Sequence, residues 1–325
     1  MQSVVTVLVV GYTLVMLAVA AAIMAIGDAN APGMLLLFGP RWLLPWPWLL
    51  LLPLVWRARW WVRGVAVTGA LVTLLGVALW NVPRSALRLG TPDPVEPSLR
   101  VATWNTDGRD LGPDQLASYL ARWDAHVVLL QDCRGDALAA LARGRRDLAA
   151  YRDGEFCVIS RLPARRLAIA PSQSRRDGRA IGFDVAWGGR TVRVVTVHLP
   201  SPRDELGAAR HGDPSKLAFS VAQRSAASLR LSEWALVGAR QADALIVAGD
   251  FNLPYGSHAL RRDWGTLRNA FVEAGWGLGH TMFAGRHRVR IDHVLASDAL
   301  VPRSAQVLGG YPAEHQPVMV EYGWQ

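Results

Sequence analysis

The chain has 325 residues, a formal net charge of +9, 51% hydrophobic residues, 14 Trp and 2 Cys. Only five charged side chains (Asp28, Arg41, Arg57, Arg59 and Arg63) fall in residues 1–80, together with seven of the Trp, so residues 81–325 hold 31 of the 35 basic and 25 of the 26 acidic groups, a net +6. That division excludes a single globular domain, a disordered protein and a disulfide-rich secreted scaffold; with Lys216 the only lysine, the basic excess reads as Arg-rich composition rather than a nucleic-acid signature.

Val4 to Ile26 is an uncharged run of 23 residues, and roughly 20 suffice to cross a bilayer as a helix. A signal peptide is the other reading, favoured by Ala29-Asn30-Ala31 and opposed by a start without positive charge. Met34 to Phe38 and Trp42 to Trp56 form a second apolar stretch broken by Pro45, Pro47 and Pro53, and Gly64 to Trp80 a third. The expectation is three spans, about 4–26, 34–56 and 62–80, with two as the alternative. Trp42, Trp46, Trp48, Trp56, Trp60, Trp61 and Trp80 lie mostly near the ends, where an aromatic belt sits. Arg57, Arg59 and Arg63 favour a cytoplasmic loop between spans two and three, which puts residues 81 onward outside; Arg84, Arg88 and Arg100 argue the other way. Pro83, Pro92, Pro94 and Pro97 make 81–98 a semi-rigid linker, a short stalk holding the following domain, 99–325, off the membrane.

In that domain Leu99 to Asn105 alternates as a strand, and Pro113 to Trp123 is a helix with Leu116, Tyr119, Leu120 and Trp123 on one face. Strands are expected at Val127–Gln131, Phe156–Ser160, Leu245–Ala248, Val289–Leu295 and Pro317–Glu321, and helices at Asp136–Ala142 and Pro214 to about Ala239. Ala180–Trp187 and Thr191–His198 flank Gly188-Gly189 as a hairpin. Hairpins mixed with strand–helix alternation indicate a layered α/β (α+β) domain rather than one parallel sheet.

Polar groups gather at the ends of these strands: Asn105 in VATWN, Gln131-Asp132 in VVLLQD, His198 in VVTVHLP, Asp250 and Asn252 in IVAGDFN, Asp292 in RIDHVL and Glu314-His315 in EHQPV. Taken singly, such residues are commonly turn or cap residues. Together they offer four carboxylates, three amides and two imidazoles, and hard oxygen ligands suit Mg²⁺ or Mn²⁺ rather than Zn²⁺. Such a metal with imidazoles and amides suits a phosphate whose charge must be neutralised as it reacts.

GDFN, a downstream IDH and a terminal acid-His-x-Pro-Val resemble the endonuclease/exonuclease/phosphatase superfamily, which includes deoxyribonuclease I, exonuclease III, neutral sphingomyelinases and inositol-polyphosphate 5-phosphatases; the resemblance runs from about Leu99 to Tyr322. It implies a four-layer sandwich of two mixed β-sheets flanked by helices. It implies Asp132, Asn105 and Glu314 near the metal, Asp250 orienting or deprotonating water, and Asn252 on a phosphate oxygen. His315 would contact the phosphate with Asp292 fixing its tautomer, and His198 would be a second phosphate donor or general acid. The family generally has Glu where Asp132 stands and Asp where Glu314 stands; if both approach one ion, the altered lengths compensate.

The other histidines, His126, His211, His258, His280 and His287, lack a paired acid, and His293 should point away from Asp292 on its strand. Arg161, Arg165, Arg166, Arg175, Arg176 and Arg179 form a basic stretch in which Arg179 is the best candidate to grip an anionic substrate. Cys133 and Cys157 read as free thiols, with pairing left open for an oxidising compartment. The resulting expectation is a Mg²⁺-dependent (Mn²⁺ possible) phosphoesterase, multi-pass in a bacterial cytoplasmic (inner) membrane with its catalytic domain outside. It would act on a nucleic-acid or phospholipid phosphate ester. A non-catalytic membrane scaffold that keeps the fold is the alternative.

Overall fold

In a computed structural model of the chain, residues 2–87, 98–145, 147–172, 177–285 and 287–325 are described. Two segments are helices long and apolar enough to cross a membrane, α1 (Gln2–Ala25) and α4 (Trp60–Leu71), the latter continued by a π-helical turn over Val72–Val77. Between them lie α2 (Ala31–Phe38) and α3 (Trp46–Leu54), parts of a pair of segments, Ala31–Phe38 and Arg41–Arg57, bent by 56°. The expected second span is therefore broken, and it breaks at Gly39-Pro40, where proline has no N–H to continue a helix.

The helices run back and forth. Tyr12 Oη donates to the Leu44 carbonyl (2.5 Å), Trp48 Nε1 to Thr73 Oγ1 (2.8 Å) and Gln2 Nε2 to the Arg57 carbonyl (3.4 Å). Val9, Trp48, Val55, Val62 and Ala66 pack at one end, and Met16, Ala20, Ile23, Leu37 and Val77 at the other. Arg57, Arg59 and Arg63 thus mark the end where α1 begins, whereas the following domain docks at the end where α1 finishes.

The domain has two six-stranded sheets. The first orders β13 (Leu300–Val307), β14 (Val318–Trp324), β1 (Leu99–Asn105), β2 (Val127–Gln131), β4 (Phe156–Ser160) and β3 (Ala149–Asp153); the second orders β5 (Ala164–Ile169), β6 (Arg179–Trp187), β7 (Arg190–His198), β8 (Ala244–Asp250), β12 (Asp292–Ala296) and β9 (Arg268–Asn269). A two-stranded hairpin, β10 (Met282–Ala284) and β11 (His287–Val289), stands apart. Both large sheets are mixed: β1 runs parallel to β2 and β7 to β8, with the other pairs antiparallel.

The period-2 alternation of side chains sorts the core into layers. Leu99, Val101, Val127, Leu129, Val192, Val194, Ile246, Ala248 and Val294 meet between the sheets. Ala102, Trp104, Val128 and Leu130 face outward onto α5 (Pro113–Trp123) and α6 (Ala137–Gly144), while Val195, Val197, Leu245 and Val247 face α8 (Leu217–Gly238) and α9 (His258–Trp264). Helix–sheet–sheet–helix is the expected sandwich. Two short helices, α7 (Arg203–Arg210) and α10 (Ala270–Ala274), complete it.

Two expectations are corrected. The part of the linker that is described is docked rather than stalk-like: Asn81 exchanges backbone hydrogen bonds with Gly277 (2.8 and 2.9 Å), its Nδ2 donates to the Phe271 and Gly275 carbonyls, and Arg84 pairs with Glu273 at 3.0 Å. Residues 88–97, with Arg88, Pro92, Pro94 and Pro97, lie outside the described residues, as do Arg175 and Arg176. Cys133 and Cys157 are not free thiols but a disulfide, because the outward face of β4 turns Cys157 toward the segment that follows β2.

Candidate active site

The alternation that builds the inter-sheet core also builds the site. Position 105 continues the inward series 99, 101 and 103 of β1; 198 continues 192, 194 and 196 of β7; 250 continues 244, 246 and 248 of β8; and Asp292 heads the inward series of β12. The apolar inner faces therefore end in a polar rim. In the second sheet the register runs Arg179, His198, Asp250, Asp292 across four neighbouring strands.

Asp250 stands at the centre. Its Oδ2 accepts from Asn105 Nδ2 of the opposite sheet (3.0 Å) and from Asn252 Nδ2 (3.2 Å), and its Oδ1 accepts from the Asn252 backbone N–H (2.9 Å). His198 Nε2 lies 3.6 Å and His315 Nε2 3.8 Å from Oδ2. Burial raises the Asp250 pKa above the usual carboxylate value, as does Asp292, against the pull of His315, His198 and Asn105. Asn252 adopts φ 48°, a left-handed conformation that asparagine tolerates better than most residues. Its Nδ2 also donates to the Leu199 carbonyl (2.9 Å), and its own carbonyl accepts from the buried Arg224 (2.8 Å).

His315 and Asp292 form the expected pair: Nδ1 is 2.9 Å from Asp292 Oδ2 and 3.1 Å from Oδ1. Burial disfavours the His315 imidazolium, but Asp292 and Asp250 outweigh it and lift the pKa to about 10. The carboxylate holds Nδ1, so Nε2 faces Asp250. His293 turns to the other face as expected, Nε2 2.9 Å from the Leu253 carbonyl, and burial pushes its pKa down to about 4.

A second group includes one residue that was not visible in the sequence, Glu155. Asp132, Glu155 and His198 bring one ligand atom each within 4.8 Å of one another, as do Asp250, Asp292 and His315; these are the two such groups among the described residues. Glu155 Oε1 is 3.2 Å from His198 Nδ1. Burial acts against the charged imidazole of His198, but Glu155, Asp250 and Asp132 raise its pKa to about 9. Glu155 occupies a Gly154-Glu155 turn before β4, with no motif to announce it. The signal was topological: β4 runs antiparallel to β2, so its beginning shares a rim with the end of β2.

Two candidates fall elsewhere. Glu314 does not join Asp132: its Oε2 accepts from Arg203 Nη2 at 2.7 Å, at the pocket rim. Arg179 packs against Gly154, where an added Cβ would stand 3.2 Å from Nη1, and the pocket's cations are instead Arg134, Arg203 and Arg210. That pocket, about 540 Å³, also contains Asn105, Asp132, Glu155, His198, Asp250 and His315.

Two mixed sheets face to face with acids, amides and paired histidines at one rim define the phosphoesterase class of α/β sandwich. The model of the Endonuclease/Exonuclease/phosphatase family matches residues 102–314, and the chain belongs to that family. Its fold is similar to that of a humanized D. rerio TDP2 carrying 14 mutations (18% identity, TM-score 0.52, 70% of this chain and 99% of that one). It is also similar to the human Nocturnin catalytic domain with bound sulfate (18%, 0.51, 75% and 100%) and to the Bacteroides thetaiotaomicron VPI-5482 mannosyl-6-phosphatase Bt3783 (16%, 0.52, 70% and 100%). No curated protein matches it by sequence.

Proposed function

We propose that the protein is a membrane-anchored phosphoesterase that hydrolyses a phosphate ester by in-line attack of water with Mg²⁺ or Mn²⁺. The observation that carries this reading is the Asp250 carboxylate, hydrogen-bonded across the two sheets to Asn105 and flanked by His198 and His315. The donor set fits a hard divalent cation: each of the two groups supplies two carboxylates and one imidazole. Asp132, Glu155 and His198 would hold it, and bound there it would neutralise charge on the phosphate.

The rest belongs to the chain. Asp250 orients the water and takes its proton, held for that task by Asn105 and Asn252. His315, anchored by Asp292, places a positive Nε2 toward the reacting phosphate. Arg134, Arg203 and Arg210 supply further positive charge around the pocket.

Placement follows from two features. The disulfide fits an oxidising compartment, and Arg57, Arg59 and Arg63 gather at the bundle end remote from the domain, which the positive-inside tendency assigns to the cytoplasm. The catalytic domain then lies outside a bacterial inner membrane.

The test uses the full chain with bis(4-nitrophenyl) phosphate, in Mg²⁺, Mn²⁺ or EDTA. Turnover should require the metal and fall about 10²–10⁴-fold in Asp250→Ala. Turnover that persists in EDTA, or that is unchanged in Asp250→Ala, refutes the reading, and absence of any turnover favours a scaffold.

A further inference from the structure

We infer that the substrate is a long-chain lipid phosphoester, drawn into the site from the bilayer with its phosphate at Asp250 and its alkyl chain along α2. This rests on the phosphoesterase reading above and narrows it.

The anchor is part of the pocket. Phe38, the last residue of α2, lines the same cavity as Asn105, Asp250 and His315. It is fixed there, because Met34 and Phe38 are buried against Leu217, Val289 and Ile291 of the catalytic domain. Its neighbour Leu37 packs on Met16, Ala20 and Ile23 in the last turns of α1. The cavity wall therefore lies level with the final stretch of a helix that is long and apolar enough to cross a bilayer. A phosphate held by Asp250 and His315 would sit at the depth of a lipid headgroup.

The lining combines two chemistries. Arg134, Arg203 and Arg210 accompany the acids and histidines, and the same cavity is lined by Phe38, Leu206, Met282, Val289 and Ile291, which belong to one apolar cluster, and by Ala284. Leu206, Met282 and Ala284 are only half-buried there: a free nucleotide or sugar phosphate leaves them in water, whereas an alkyl chain covers them.

The rim points the same way. Phe219, Trp276 and Phe283 are exposed on the domain (60%, 63% and 37%), and each adjoins a point where the domain touches the anchor. Phe219 is two residues from Leu217, which packs on Met34. Trp276 precedes Gly277, bonded to Asn81. The Arg288 guanidinium lies over both Phe283 (5.8 Å) and Trp42 (5.2 Å). Exposed aromatics beside such contacts are what a surface resting in the headgroup region presents.

The experiment places the full chain in phosphatidylcholine nanodiscs and measures kcat/KM for 4-nitrophenyl alkyl phosphate diesters with ethyl, butyl and octyl chains. Each methylene withdrawn from water at the wall should raise kcat/KM about fourfold, so octyl should exceed ethyl by well over tenfold. Phe38→Ala and, separately, Met282→Gln should flatten that dependence. A second readout needs no variant: dodecylphosphonate should inhibit ethyl-ester hydrolysis at far lower concentration than ethylphosphonate. A diacyl glycerophospholipid and a polyprenyl phosphate, compared in the same discs, identify which lipid backbone is taken; turnover of either supports the inference. Hydrolysis that is independent of chain length, a slope unchanged in both variants (simple partition into the disc), or a single-stranded oligonucleotide turned over faster than every lipid overturns it. In those cases the phosphoesterase reading stands; failure of all three diesters, octyl included, removes both.

Discussion

At the scale of single residues, the departures at Asp132 and Glu314 acquire a different explanation from mutual compensation. Glu314 gives its carboxylate to Arg203, while Asp132 finds Glu155 and His198 beside it. A shortened carboxylate on one strand end is thus met by a longer one at the start of the antiparallel neighbour. Glu155→Gln keeps the size and loses the charge, so Mn²⁺ affinity by calorimetric titration should fall about tenfold or more. Glu314→Gln should shift it far less. Equal losses in the two variants would return Glu314 to the metal. Sequence patterning found Asn105, His198, Asp250 and Asp292 because inward-facing positions at strand termini turn polar where the core ends, and Asp132, Asn252 and His315 in the segments beside such termini. It missed Glu155 because a charged residue after a turn glycine looks like any loop, and only the antiparallel β2–β4 pairing brings it to the rim.

At the scale of elements, the disulfide belongs to the site as much as to the fold. Cys133 follows Asp132 directly, Cys157 is two residues past Glu155, and the Cys133 N–H donates to the Glu155 carbonyl at 2.9 Å. The bridge therefore clamps together the two segments that carry the clustered carboxylates. Replacing both cysteines by serine should cost about 3 kcal/mol in denaturant unfolding, the scale expected for closing a loop of this size. It should also weaken Mn²⁺ binding, and a variant that loses stability with metal affinity intact would make the bridge purely structural. Legibility in the sequence followed the same physics across elements. Central strands such as β1, β2 and β8, buried on both faces, were readable as apolar or alternating runs. Edge strands were not: β13 carries Pro302 at a register shift, and β5 is a short, Arg-rich edge. Helix α7 has no fully buried residue, and Leu206 and Ala209, the two that pack on an apolar cluster, are too few to show as a periodic apolar face.

At the scale of the whole molecule, the N-terminal helices and the α/β sandwich form one structure, joined through a buried charge. Asp28, between α1 and α2, has a carboxylate that accepts from Ser257 Oγ (2.8 Å) and from the His258 N–H (2.9 Å). The turn before it must lie flush: Gly27 has φ 56°, and a Cβ there would come within 2.7 Å of the His258 backbone N. The other Asp28 oxygen is 3.9 Å from the guanidinium of Arg224, which is 1% exposed and donates to the Asn252 carbonyl. Burial lowers the Arg224 pKa, against the support of Asp28 and Glu205. A buried cation that loses its partner is left uncompensated, at a cost of about 3–5 kcal/mol. Asp28→Ala should therefore destabilise the full chain on that scale in thermal or chemical unfolding. Through Arg224 and Asn252 it should also reduce kcat, although residue 28 touches no substrate. Asp28→Asn, which retains an acceptor for Ser257 and His258 but not the charge, should fall between. If Asp28→Ala unfolds like the parent and turns over at the parent's rate, the N-terminal helices are only a tether, and the continuity of charge from Asp28 to the Asn252 loop has no functional weight.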